Sequence, residues 1–150
     1  MDFQTDAQRK TYEKVAVWMK ELFGEGFQAI PGKPLFIVPV GSSITQVAVH
    51  PWGSDDAVIV GMAWVVQGVE ITKDLLLYLL RTNTKFRFGG YGLDDDDDIF
   101  FSYSIVGSTA DKEEVKALTL AVAGTADRED DQIVAKWGGM TALDKMKASM

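Results

Sequence analysis

The stretch "GGYGLDDDDDIFFSY", Gly89 to Tyr103, sets five consecutive aspartates between two β-rich runs. Carboxylates at that density could hold a cation, dock a basic partner, or simply turn the chain. A calcium loop starting at Asp94 would use Asp94, Asp96 and Asp98 as its first side-chain ligands. It would also need glycine at its sixth position and glutamate at its twelfth. Ile99 and Ile105 stand there instead. Aspartate accepts hydrogen bonds from nearby backbone and tolerates left-handed dihedrals. A solvated hairpin turn is therefore the expected role, with weak cation binding or a basic-partner contact as lesser ones.

Other chemistry-bearing residues are sparse. His50 precedes "PWGSDD", so Asp55 and Asp56 could form an acid–base pair with it. No nucleophile or oxyanion signature accompanies them, and a structural histidine at a strand end is the better expectation. Gly89, Gly90 and Gly92 resemble a phosphate loop only in composition, because a strand follows where a helix N-terminus is needed. The acidic run Asp127 to Asp131 reads as a solvated helix face. No cysteine is present, which excludes disulfides, thiolate metal sites and thiol catalysis. A single histidine excludes a site of several imidazoles. No catalytic or cofactor-binding residue and no metal site is assigned, and no cofactor is expected.

The formal net charge is −7, and no Lys/Arg cluster offsets it, so nucleic acid is not an expected partner. The N-terminus lacks the basic and apolar regions of a signal peptide. No apolar run reaches the roughly 18 residues of a membrane span. A soluble cytoplasmic protein without a membrane partner is expected. The length is that of one domain over residues 1–150, with a core over about 5–139 and a short tail over 140–150.

The elements that would position these residues follow from period and punctuation. Thr5 and Gln8 form a capping-box pattern, and Tyr12, Val15, Ala16, Met19, Leu22 and Phe23 recur at helical spacing up to Gly24. Pro34 to Val40, Ile44 to His50 and Ala57 to Val66 are short β-rich runs joined by Gly/Ser and Pro/Gly/Asp clusters, the signature of an antiparallel meander. Thr72 is placed to cap a second helix lined by Leu75, Leu76, Leu79 and Leu80. A hairpin spans Phe86 to Val106, with Phe86 and Phe88 alternating with Lys85 and Arg87 in its first strand. Ser108 or Thr109 can cap a last long helix from about Asp111, which Gly138 and Gly139 end. The tail carries Leu143 and Met146.

That order, and above all "LLRTNTKFRFGGYGLDDDDDIFFSYSIVG" from Leu79 to Gly107, resembles the YbjN-like family, which shares its fold with the CesT-like chaperones of type III secretion. The shared pattern is a helix ending near Asn83, a strand, an acidic turn and an apolar alternating strand. This chain lacks the glycine usual within the turn and adds a tail after Gly139. The resemblance implies an α+β fold with helices packed on a twisted antiparallel sheet. It also implies a non-enzymatic protein-binding module, chaperone-like or an adaptor or regulator, that holds a segment of a partner protein; the secretion chaperones dimerise and hold extended client segments. It supplies no catalytic residues.

With simple hairpin registers, one sheet face carries Leu35, Ile37, Val47, Val49, Val58, Val60, Met62 and Trp64, which suits a helix-covered core. The other carries Phe36, Val38, Val40, Ile44, Ala48, Ile59, Ala63 and Val65, diluted by Gln46 and His50. That second face is too apolar for water alone. A subunit, the C-terminal segment, a bound peptide or the last helix must cover it. Phe36, Val38, Val40, Ile59, Ala63 and Phe100 are accordingly the expected surface for a protein or peptide client or for a homodimer. The competing roles are a structural subunit of an assembly and an enzyme using an unrecognised carboxylate pair.

Overall fold

Thr5 Oγ1 accepts the N–H of Gln8 and starts helix α1, Asp6–Phe23. The Gln8 side chain does not close the box onto Thr5. Its Oε1 accepts the N–H of Gln4 and its Nε2 donates to the carbonyl of Val49, so a capping residue also ties the helix to the sheet. The computed structural model describes all 150 residues. After α1 come strands β1 (Gln28–Ala29), β2 (Leu35–Val40), β3 (Ser43–Trp52) and β4 (Asp56–Val66). Helix α2 (Lys73–Asn83), strands β5 (Gly90–Leu93) and β6 (Ile99–Val106), and helices α3 (Lys112–Trp137) and α4 (Ala142–Ala148) complete the chain. The fold is α+β, with one antiparallel sheet in the order β1-β2-β3-β4-β6-β5.

Two local expectations change, while α3 runs unbroken through Gly124 and the acidic run as the single long helix expected. Asp111, not Ser108 or Thr109, caps α3, its carboxylate accepting the N–H of Glu114. The first hairpin strand is shorter than the alternation over 85–88 predicts, because pairing with β6 stops at Gly90↔Ser102. The rings of Phe86 and Phe88 are drawn onto Phe101 and Tyr103, at 5.0 and 5.3 Å between centroids, and the backbone carrying them leaves the sheet.

Helices α1, α2 and α3 lie on one face of the sheet. Val15 and Met19 of α1 and Val115 and Leu118 of α3 share a core with Phe36, Val38, Val47, Val49 and Ile59. Leu75 and Leu79 of α2 and Val122, Ala126 and Ile133 of α3 share another with Ala63, Val65, Ile99 and Phe101. Gly61 permits this close approach, because a Cβ there would stand 2.5 Å from Leu118 Cδ2. The tail is fastened as well: Gln67 and Met140 exchange backbone hydrogen bonds at 2.8 Å, and Thr141 caps α4.

The face assignment is therefore corrected. Phe36, Val38, Ile59 and Ala63 lie beneath the helices, each no more than 2% exposed. The reason is loop parity. The β2–β3 turn has two central residues, Gly41 and Ser42, rather than three, so Val40 pairs Ser43 and Phe36 pairs Val47. Strands β3 and β4 continue to Trp52↔Asp56, which sets Val49 opposite Ile59. A one-residue shift exchanges the faces of a strand.

Candidate binding surface

None of α1, α2 and α3 lies on the opposite face; α4 touches β3 and β4 at the end of the sheet beside the β2–β3 turn. Cross-strand rows run Leu35–Ala48–Val60–Ser104 and Ile37–Gln46–Met62–Ser102, with Trp64 beside Phe100 and Val58 between His50 and Val106. Leu35, Ile37, Val58, Val60, Met62, Trp64 and Phe100 are half-buried. Antiparallel strands with one solvated face normally alternate apolar with polar residues. Here both faces are apolar. Of the six residues expected at a partner surface, the register puts Phe100 on this face, leaves Val40 half-buried beside the β2–β3 turn, and encloses the other four.

At one margin the β6 edge is free. Tyr91 turns both its peptide groups away from β6 to the side chain of Asn83, whose Oδ1 accepts the Tyr91 N–H at 2.7 Å. That amide occupies the outer edge of β5 as a neighbouring strand would. By the two-residue period, Ser102 bonds inward to β5, while Ser104 and Val106 direct their peptide groups past its end. The cleft along this edge has a volume of about 640 Å³ and is lined by Phe88, Tyr103, Ile105, Asp111, Glu113 and Glu114 among others. It offers apolar contact and three carboxylates, and no Lys or Arg lines it.

The aspartate run closes the opposite end of β6. Asp94 Oδ1 accepts the N–H groups of Asp96 and Asp98 at 2.9 and 3.0 Å, and Asp97 adopts φ 62°. These are the local hydrogen bond and left-handed residue that make aspartate a turn former. Two contacts were not legible. The Trp64 indole N–H donates to Asp94 Oδ2 at 2.9 Å, and Asp98 accepts from Gln67 Nε2 and the Gly68 N–H. The indole hydrogen bond, followed by those of the Asp98 and Asp96 backbone, holds the Asp94 carboxyl below its usual range. Carboxylate oxygens of Asp94, Asp96 and Asp98 lie within 4.8 Å of one another, but Asp94 and Asp98 are already engaged as acceptors.

Replacing Asp95, Asp96 and Asp97 by Asn-Gly-Asn is expected to change stability by no more than about 0.5 kcal/mol in denaturant titrations. Asp94→Ala should lower Tm clearly, since three donors lose one acceptor. A calcium-induced rise in Tm that the triple variant lacks would instead assign cation binding to the turn.

His50 makes no hydrogen bond to Asp55 or Asp56. His50 is exposed on the open face, whereas Asp56 accepts from the Ser108 hydroxyl at 2.7 Å and from the N–H of Ala57. Those bonds, the Ser108 hydroxyl first, lower the Asp56 carboxyl and commit it to holding the end of β6 to β4.

Comparison with known proteins places one further fact beside this geometry. A family model described as T3SS (YopN, CesT) and YbjN peptide-binding chaperone 1 matches residues 14–145. No curated protein matches the chain.

Proposed function

We propose a function from the premise that the chain belongs to the T3SS (YopN, CesT) and YbjN peptide-binding chaperone 1 family: it holds an extended segment of a partner protein against the open face of its sheet. The observation that carries this reading is the set of half-buried apolar rows centred on Val60 and Met62, on the face turned away from α1, α2 and α3. A large exposed apolar patch marks a contact surface more often than a tolerated defect. An extended segment laid across the rows would bury its own alternate apolar side chains there. At the margin, the peptide groups of Ser104 and Val106 are free to pair with added backbone. Carboxylates stand at both ends of β6, Asp95 to Asp97 at one and Asp111, Glu113 and Glu114 at the other, which favours clients carrying Lys or Arg.

The work is binding and release, without a chemical step, and the proposed location is the cytoplasm. No helix is long and apolar enough to cross a membrane. A second copy could occupy the same face, so self-association competes with client holding.

Fluorescence polarisation with labelled peptides tests the reading. Peptides alternating apolar residues with Lys should bind, and acidic counterparts should bind more weakly. Met62→Lys should keep the circular dichroism and Tm of the parent while affinity falls about tenfold or more. Undiminished peptide binding by a folded Met62→Lys protein would sink the proposal. A concentration-dependent dimer that the same change splits, with no peptide binding in the parent, would assign the face to self-association.

A further inference from the structure

The acidic run of α3 is not simply a solvated face. Asp130 is 1% exposed, and its Oδ1 is buried without a hydrogen-bond partner. Its Oδ2 lies in hydrogen-bond contact with Ser42 Oγ. The same Ser42 Oγ lies 2.8 Å from Asp127 Oδ1, which also accepts the Ser42 N–H at 2.8 Å. Gly41, at φ 57°, brings the turn so close to α3 that a Cβ there would stand 2.3 Å from Asp127 Oδ1. Two carboxylates thus converge on one hydroxyl. A serine hydroxyl has one hydrogen and can donate it to only one of them. Asp127 is exposed and held low by the Ser42 N–H and hydroxyl, so it is the ionised acceptor. The contact between Ser42 Oγ and Asp130 then lacks a hydrogen unless Asp130 supplies it.

We propose that Asp130 is a neutral carboxylic acid in the folded protein, donating its proton to Ser42 Oγ, and that this proton latches the tip of the β2–β3 hairpin to α3. The surroundings agree. The charges acting on Asp130 are those of Asp131 and Asp127 on its own helix, both negative. The turn presents Ser42 and Ser43, and the start of α4 presents Thr141, Ala142 and Leu143, whose N–H donates to the Ser42 carbonyl; Asp144 and Lys145 beyond them are exposed. No cation is placed to neutralise an ionised Asp130. Burial is the largest cause and pushes its carboxyl up; a hydrogen bond donated by Ser42 would pull it down, but that hydrogen is spent on Asp127, which leaves the Asp131 N–H as the opposing pull. Because the folded value is raised, the latch contributes fully below the unfolded carboxyl value and is lost as pH rises through the folded one. The hairpin is therefore held most tightly in acid and loosens as pH rises through the raised carboxyl value. Any effect on client holding rests on the function proposed above, through Leu35, Ile37 and Ile44 on the same strands; the latch itself does not.

The test uses the intact chain and no client. The carboxyl-carbon resonance of Asp130 should titrate clearly above the ordinary carboxylate range, and that of Asp127 below it. Asp130→Asn keeps a donor to Ser42 Oγ without a titrating proton. Relative to this variant, the parent should lose Tm as pH rises from the ordinary carboxylate range through the raised value of Asp130. Titration of Asp130 at or below the ordinary range would overturn the proposal. So would a difference between parent and variant that does not change with pH. A rise in the parent's Tm on adding calcium or magnesium at neutral pH, absent in Asp130→Asn, would show a cation where the proton is placed and would overturn it too.

Discussion

Ile59→Lys is expected to abolish cooperative unfolding, while Val60→Lys, one residue further along the same strand, leaves it intact. Ile59 is fully enclosed among Val47, Val49, Met19 and Leu118 in the core under α1 and α3. The one buried carboxylate, Asp130, lies against Ser42 at the β2–β3 turn. An unpaired ammonium in the core under α1 and α3 costs about 5 kcal/mol, the scale of a small domain's entire stability. The Val60 side chain points to the uncovered face between Ala48 and Ser104. A lysine there can lay its methylene stem along the neighbours and keep its charge in water. Its folding cost should stay within about 1 kcal/mol, while peptide binding should fall with that of Met62→Lys. Denaturant titrations of the two variants decide the matter. Cooperative unfolding of Ile59→Lys, or its loss in Val60→Lys, would show that the faces are assigned the wrong way round.

The second large effect is expected at Phe101. Its ring is 1% exposed and meets Phe86 at 5.0 Å and Tyr91 at 5.8 Å between centroids. Truncation to alanine removes the piece on which both other rings lean, and a sheet strand cannot collapse into the gap. Phe101→Ala should cost about 3–5 kcal/mol. Phe100, on the open face beside Trp64, is only half-buried, so Phe100→Ala should cost a fraction of that and act on binding instead. Equal losses of midpoint in guanidinium titrations would rule out the alternation along β6.

How much was legible beforehand depends on the range of the interaction. Helix starts at Thr5 and Thr72 are read from single residues, because the capping hydrogen bond closes within three positions. The aspartate turn is equally local: the acceptor is Asp94 and the left-handed residue is Asp97. The partner of Asp94 at Trp64 is 30 residues away in sequence and carries no local signal. The two-residue strand β1 is too short to show an alternation. Asp130 has the same limit. Within "DREDD" nothing separates the one buried carboxylate, Asp130, from half-buried Glu129 and the exposed Asp127 and Asp131, since the difference arises when Gly41 and Ser42 close on α3.

The sequence by itself determined the order of the elements, the alternation along β2, β3, β4 and β6, and the surplus of apolar residues that leaves neither face of the sheet polar. Those properties follow from periodicity and composition, which every residue carries with it. Which face the helices cover was decided only in the tertiary structure. Strand alternation repeats every two residues, so the pattern is equally apolar in either register. The choice falls to two turns: Gly41–Ser42 closing with two central residues, and the pairing that continues to Trp52↔Asp56. Closure then commits Phe36, Val38, Ile59 and Ala63 to the helices, with Gly61 leaving room for Leu118. The alternate residues, Leu35, Ile37, Val60, Met62 and Trp64, are left on the other face because α1, α2 and α3 all pack against the first.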